Sequence, residues 1–350
     1  MDIIDDYIDP TRLTGMIRTA LFDLQVNTFR LSRWLPNVNL DDVAYEFTKG
    51  GQGLAEASVY RSWDAESPIG RREGISQVMG SLPPISEKIP LNEYERLRLR
   101  KLNDGALLPF IARDAQRLAR NIGARFELAR GDALVNGSVT LGGISGEKVK
   151  QTVSFGRSGS HSVTAGVLWS DYDDGVPLDD LETWIATYVA TNGGPPARIL
   201  MPRVIAGHLR RSEQVRGQVF PLNQTVANTP TASADQVRAV LDSMDLPTVE
   251  IYDAQVKVNG SSTRVTPANK ILLLPEPGPE SSTQPTDLGG TLLGTTAESL
   301  EPEYGLEGDQ PGVVAAQWKT KDPVRVWTHA AAVGIPVLMN PDLTFVATVA

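Results

Sequence analysis

Residues 46–90 constrain the fold more than any other segment. They read EFTKGGQGLAEASVYRSWDAESPIGRREGISQVMGSLPPISEKIP, long enough for a small subdomain but without the apolar spacing of a core. Gly50, Gly51 and Gly53 open the segment, and Pro83, Pro84 and Pro90 close it. Val59, Arg61 and Trp63 hint at one strand, and Ile75, Gln77 and Met79 at another. Between them Asp64–Gly74 is rich in charge and carries Pro68 and Gly70. The pattern predicts a long two-stranded hairpin with a polar tip. A lone two-stranded ribbon is marginally stable in water. This one must therefore lie on something, either the rest of its chain or another copy of it.

The strongest helical signal follows at once, over 92–131. Ile111, Ala115, Leu118, Ile122, Phe126 and Ala129 recur at steps of three or four, which places them on one stripe. Pro109 suits a first turn, where its missing N–H is not needed, and Gly131 suits a stop. The spacing predicts a helix over 109–130, roughly 30 Å long. A milder helical run, 11–35, carries Leu13, Ile17, Leu21 and Leu24 and ends at Pro36. It reads either as an ordinary amphipathic helix or as an arm on a neighbouring subunit.

Asn136-Gly137 between apolar flanks signals a hairpin turn. Residues 149–155 and 163–167 then alternate, as strands pairing through GRSGS would. Helices are expected over 178–191, 202–211 and 233–244. Strands are expected over 198–201, 248–258 and 270–274, the last two separated by Asn259-Gly260. Together these make a compact second region. Loops fill 275–312, and strands return at 324–327, 335–338 and 345–349. The 31 glycines and 24 prolines exceed the average share of roughly 12%, which favours strands and long loops over a helical bundle.

Composition removes several functions. No cysteine is present, so disulfides, thiolate catalysis, Cys–zinc sites and iron–sulfur clusters are excluded. With 33 Lys and Arg against 42 Asp and Glu, the net charge is −9, opposite in sign to a dedicated nucleic-acid reader. The start, MDIIDDYIDP, lacks the basic opening and apolar run of a secretory signal. The longest apolar run, Ala330–Met339, is broken by Gly334 and Pro336 and falls far short of the roughly 20 residues of a membrane helix. The expectation is a soluble intracellular protein with no membrane partner.

The search for chemistry finds no constellation. The histidines are His161, His208 and His329; none pairs with another at metal spacing. His161 in a glycine-serine turn and His208 at a basic helix end read as exposed, while His329 falls on a strand. The run Gly50–Ala55 lacks the third glycine of a phosphate cradle and a following helix. Asp171, Asp173, Asp174, Asp179 and Asp180 read as a loop entering a helix, where acids suit the dipole. Arg96, Arg98, Arg100, Arg113, Arg117, Arg120 and Arg125 form a basic strip better suited to pairing between subunits than to phosphate. No catalytic, cofactor or metal-binding residues are assigned. A long helix, a charged hairpin that cannot stand alone and a compact second region suit an assembly protein.

Several blocks then fall in a telling order. VSFGRSGSHSVTAGVLWSD carries Phe155, Gly156, Arg157 and Trp169 and leads into the acid-rich stretch Asp173–Trp184. VEIYDAQVKVNGSSTRVTPANKILLLPEP and GGTLLGTTAES follow, then a tail holding Asp322, Pro323, Arg325, Pro336 and Pro341-Asp342. This order resembles the major capsid proteins of tailed bacteriophages, specifically the lambda-type major capsid protein E family, over roughly 90–350 and more weakly before. The resemblance implies an α+β, HK97-like fold. Its parts would be an N-terminal arm (1–45), an extended loop (46–90), a peripheral domain with the long spine helix (91–176), an axial domain (177–312), and C-terminal strands returning to the peripheral domain (313–350).

The function implied is a major capsid protein. It would self-assemble into hexamers and pentamers of an icosahedral head around double-stranded DNA, in the virion and assembled in the host cytoplasm. Implied partners are itself, a scaffolding protein, a portal protein, a decoration or cement protein, and packaged DNA by non-specific contact. Arg61, Glu66, Arg71, Arg72 and Glu73 would touch the adjacent subunit, with Gly50, Gly51 and Gly53 as the hinge, since glycine absorbs backbone change cheaply. Lys49 and Lys88 lie in or beside the loop, but nothing identifies an acceptor, so crosslinking is not expected. Two alternatives remain: an encapsulin-like compartment on the same fold, and a soluble hydrolase using Ser with His161 or His329.

Overall fold

The computed structural model of the protein describes residues 8–42, 44–48, 77–99, 104–142, 151–220, 230–279, 282–304, 311–322 and 324–350. The chain opens with α1 (Pro10–Asn27), β1 (Asn37–Asn39), β2 (Ala44–Thr48), β3 (Gln77–Ser81), β4 (Pro84–Leu91), α2 (Glu93–Leu99) and the long α3 (Asp104–Asn136). Next come β5 (Ser138–Leu141), β6 (Gln151–Ser154), β7 (Ser162–Thr164), α4 (Pro177–Asn192), β8 (Arg198–Met201), α5 (Arg203–Arg211), α6 (Glu213–Val219) and α7 (Ala234–Ser243). Strands close the chain: β9 (Thr248–Ile251), β10 (Gln255–Val258), β11 (Ser261–Arg264), β12 (Lys270–Leu274), β13 (Gly289–Gly294), β14 (Val314–Lys321), β15 (Val324–Leu338) and β16 (Phe345–Thr348).

Two sheets organise these elements. The first is centred on β15. β14 pairs with its first half and β13 with its second, both antiparallel, and β4 pairs along Val326–Val333 on the other edge. β1 adds in parallel to β13. The second sheet has the order β7-β16-β12-β8-β9. Val326, Thr328 and Ala330 of β15 are buried in alternation with the half-buried Trp327 and His329, the period-2 signature of a strand with one face on a core, and from Ala330 onward the strand is buried on both faces.

α3 is longer than its apolar stripe suggests. At about 1.5 Å per residue it spans about 50 Å. Every stripe residue from Ile111 to Ala129 is buried. Pro109 is the sixth helical residue and not in the first turn; it forfeits one hydrogen bond near the helix end. Gly131 does not stop the helix. A Cβ there would stand 2.5 Å from the Val265 carbonyl oxygen, so this glycine lets the chain just past β11 approach the helix. The stop is Gly137, left-handed at φ +63°, whose N–H donates to the Ala133 carbonyl at 2.9 Å. Asn136-Gly137 is thus a helix end and not a hairpin, whereas Asn259-Gly260, with φ of +49° and +86°, is the turn of the β10–β11 hairpin.

Strand pairing differs from expectation in two places. β6 pairs with β5, and β7 pairs in parallel with β16, so GRSGS does not join two partners. β14 and β15 lie in the sheet that packs on α3, but the turn Pro341–Leu343 redirects the chain, and β16 enters the second sheet beside β12. Phe345, Val346 and Ala347 find a larger apolar core there.

That larger core gathers around the second sheet and α4, α5 and α7, and takes in Phe29–Leu35 and the last turns of α3. A smaller core holds Leu13, Ile17 and Leu21 of α1, the first two-thirds of α3 down to Phe126, and one face of β14 and β15. α1 therefore buries its apolar face within its own subunit. Thr14 Oγ1 both donates to the Ala315 carbonyl (3.2 Å) and accepts from its N–H (3.0 Å). Among the described residues no helix is long and apolar enough to cross a membrane, and no cluster of His, Cys, Asp and Glu could hold a metal ion.

Candidate assembly interface

The segment that cannot stand alone is fixed at its root. β2 and β3 pair antiparallel from Ala44↔Ser81 to Thr48↔Gln77, on either side of residues 49–76, which lie outside the described residues. The incoming leg is held by β1 on β13 and by the Leu40 N–H donating to Leu293 O at 2.8 Å. The outgoing leg continues as β4 along β15, from Leu91↔Val326 to Pro84↔Val333. Tyr45 and Leu82 are buried at the root. Both legs are thus stitched to the sheet that packs on α3. Arg61, Glu66, Arg71, Arg72, Glu73 and the glycines at 50, 51 and 53 lie outside the described residues, as does Pro323.

The end of α3 is held from outside the helix. The Arg157 guanidinium donates to the carbonyls of Leu134 (2.9 Å) and Val135 (2.8 Å) and to Thr344 Oγ1 (3.3 Å). The last carbonyls of a helix lack partners and carry partial negative charge, so an arginine supplies both donors and charge. Burial pulls its pKa below the ordinary value, and Asp342 pulls the other way.

A second polar group lies wholly inside. Glu127 and Arg130, one turn apart on α3, are both fully buried and pair at 3.2 Å. The Glu127 carboxylate also accepts from the Leu31 N–H (3.0 Å) and from the Tyr252 hydroxyl. Arg130 donates to Thr291 Oγ1 (2.9 Å) and Asn37 Oδ1 (2.6 Å), and Thr291 donates on to the Leu35 carbonyl (2.9 Å). Desolvation raises the Glu127 pKa against the pull of Arg130, and lowers that of Arg130. Buried charge is costly unless paired and bonded, and here the α1–β2 connection, α3, the end of β9 and β13 all supply partners.

The model of the family described as phage major capsid protein E matches residues 11–349. The chain belongs to that family. It is a subunit of the icosahedral head shell of a phage. Solved structures agree on the fold. A phage-related protein from Bordetella bronchiseptica RB50 superposes with a TM-score of 0.60 at 12% identity, covering 95% of this chain and 96% of that one. A prophage capsid protein of E. coli CFT073 gives 0.61 at 15% identity, covering 98% and 99%. The capsid of a native GTA particle gives 0.52 at 13% identity, covering 93% and 91%. No curated protein sequence matches significantly. The HK97-like α+β fold expected from the sequence is the fold observed.

In this capsid protein the remaining motif residues take structural places. Phe155 and Trp169 are fully buried, and Gly156 is left-handed at φ +74°. The Trp169 indole donates to Asp180 Oδ2 at 2.9 Å and stacks on Trp184 with ring centroids 5.9 Å apart. Pro336 faces Thr291 across the β13–β15 ladder. Asp322 is exposed near the β14–β15 turn, and Arg325 lies 5.9 Å from the Trp327 ring. His161 is not exposed but enclosed, between the Thr191 hydroxyl (3.0 Å) and the Thr344 carbonyl (3.3 Å), because the turn carrying it tucks under α4 and against Phe345. His208 is half-buried beside Tyr172. Arg113, Arg117 and Arg120 are exposed. Sequence reasoning missed Glu127 and Arg130; two opposite charges three residues apart beside an apolar stripe were the available signal.

Proposed function

We propose that the capsid protein closes its shell through the 49–76 hairpin, which drapes over the adjacent subunit in hexamers and pentamers. Arg61, Glu66, Arg71, Arg72 and Glu73 supply the contacts, and Gly50, Gly51 and Gly53 the hinge. The observation that carries this reading is the root: both legs of the hairpin are laddered to the sheet on α3, so the ribbon has a rigid mount and needs a surface beyond it. Arm, extended loop, peripheral and axial domains follow the boundaries 1–45, 46–90, 91–176 and 177–312, with the tail strands after them.

Assembly takes place in the host cytoplasm around a scaffolding protein and from a portal protein, with a decoration protein capping the finished shell. The net charge of −9 lets packaged double-stranded DNA slide past an anionic wall with only non-specific contact. The role is structural and without turnover: His161 is sealed from solvent, and its recorded partners are a hydroxyl and a carbonyl, not a carboxylate. Deleting residues 54–73 tests the reading by electron microscopy of the expressed protein. The expected result is a folded subunit, unchanged by circular dichroism, that forms no closed particles. Normal shells from that variant would sink the assignment.

A further inference from the structure

The pair Glu127–Arg130 sits where α3 passes from one core to the other. Phe126 is the last α3 residue in the smaller core, and Ala129 the first that counts wholly in the larger. The partners of the pair come from both sides of that junction: Tyr252 follows β9 of the second sheet, while Thr291 belongs to β13 of the first. Arg30 and Arg33, in the segment that also offers the Leu31 N–H, hold Glu250 of β9 at 3.1 and 3.8 Å.

Apolar contact is non-directional, so two cores packed on one helix could slide by small amounts at little cost. A buried carboxylate with three donors and a guanidinium with three acceptors tolerate one arrangement. We propose that Glu127 and Arg130 are a positioning pair that fixes the angle between the two cores, and through that angle the curvature of the shell. The link to curvature rests on the shell function; the link to the angle does not. Replacing a buried ion pair by apolar residues of similar size often leaves stability unchanged or higher, so a pair kept for positioning separates from one kept for stability.

The test uses the full chain, which has no cysteine. R12C on α1 and E182C on α4, both exposed, place one spin label over each core. Distance distributions are recorded by double electron–electron resonance on unassembled protein with and without E127M/R130M/Y252F. The triple variant is expected to fold and to melt near or modestly below the parent temperature, since the pair itself adds little net stability but the Leu31 N–H and Asn37 Oδ1 lose their partners. It is expected to widen the distribution measurably and to form particles of mixed diameter. A width equal to the parent's overturns the proposal, as does a uniform particle size alongside a widened distribution for its curvature half. If the triple variant does not fold, Y252F alone decides: it removes one donor, and a smaller widening is expected where an unchanged width overturns. A parent chain that forms no shells would count against the shell function and leave the distance result standing.

Discussion

The core beneath α1 is aliphatic and rich in alanine, and the core around the second sheet is rich in aromatic rings. Ala115 and Ala119 of α3 share the first with Ala315, Ala330 and Ala332 of the sheet, among Leu and Ile side chains and with Phe126 as its aromatic ring. Around the second sheet Trp34, Trp169, Trp184, Tyr188, Tyr252, Phe155 and Phe345 fill the space. Their polar ends are tied: Trp34 Nε1 donates to the Pro275 carbonyl (2.9 Å), Trp169 Nε1 to Asp180 and the Tyr188 hydroxyl to the Leu343 carbonyl (3.2 Å). The first core gains specificity from close approach of backbones, the second from rings oriented by their hydrogen bonds.

The two should therefore fail in opposite ways. The largest effect is expected from W169A, which empties the aromatic core and strands the Asp180 carboxylate; about 3–5 kcal/mol should be lost in urea denaturation. A loss under about 1 kcal/mol would mean the rings do not hold that core. A330L should cost less, about 1–3 kcal/mol, by overfilling the alanine core. Hydrogen exchange should locate that damage on α1 and leave the second sheet protected; uniform loss of protection would show that the cores are not separable.

The smallest effect is in pH. Burial, aided by Lys88, lowers the His329 pKa against the pull of Glu298, and burial with Arg211 lowers that of His208. Both histidines are held neutral in the fold, so the unfolded chain binds more protons once pH falls below its own value of about 6.5. Their contribution to stability is complete above that pH and declines as pH falls towards the lowered values. H329Q, on the sheet of the alanine core, and H208Q, beside the aromatic core, should each flatten the urea-midpoint profile between pH 7.5 and 5.5. A profile as steep in the double variant as in the parent would remove the histidines as its cause.

The stripe from Ile111 to Ala129 was legible because helical burial has a period that one sequence displays. Arg130 was not, because a charged residue ordinarily faces water and its partners Asn37 and Thr291 lie far along the chain. Gly131 was misread for a related reason: a stop and a close approach both call for glycine, and only Val265, supplied by a distant segment, distinguishes them. Asn136-Gly137 carries the same ambiguity, since a helix end and a hairpin both want a positive φ. The charge and the flanking glycines and prolines mark residues 46–90 as unlike a core, but the strands expected near Val59 and Trp63 and the charged tip lie outside the described residues, where only the pairing of β2 with β3 on either side is seen. The mounting of this segment on β13 and β15 was not legible, because ladder partners leave no local mark.

The β4 ladder has a mechanical consequence. β4 lies antiparallel along β15 for eight register positions, and the hairpin leaves from one of its ends. A pull along β4 would load these bonds together in shear and not peel them one at a time. In a shell subunit such a splice carries tension without unravelling.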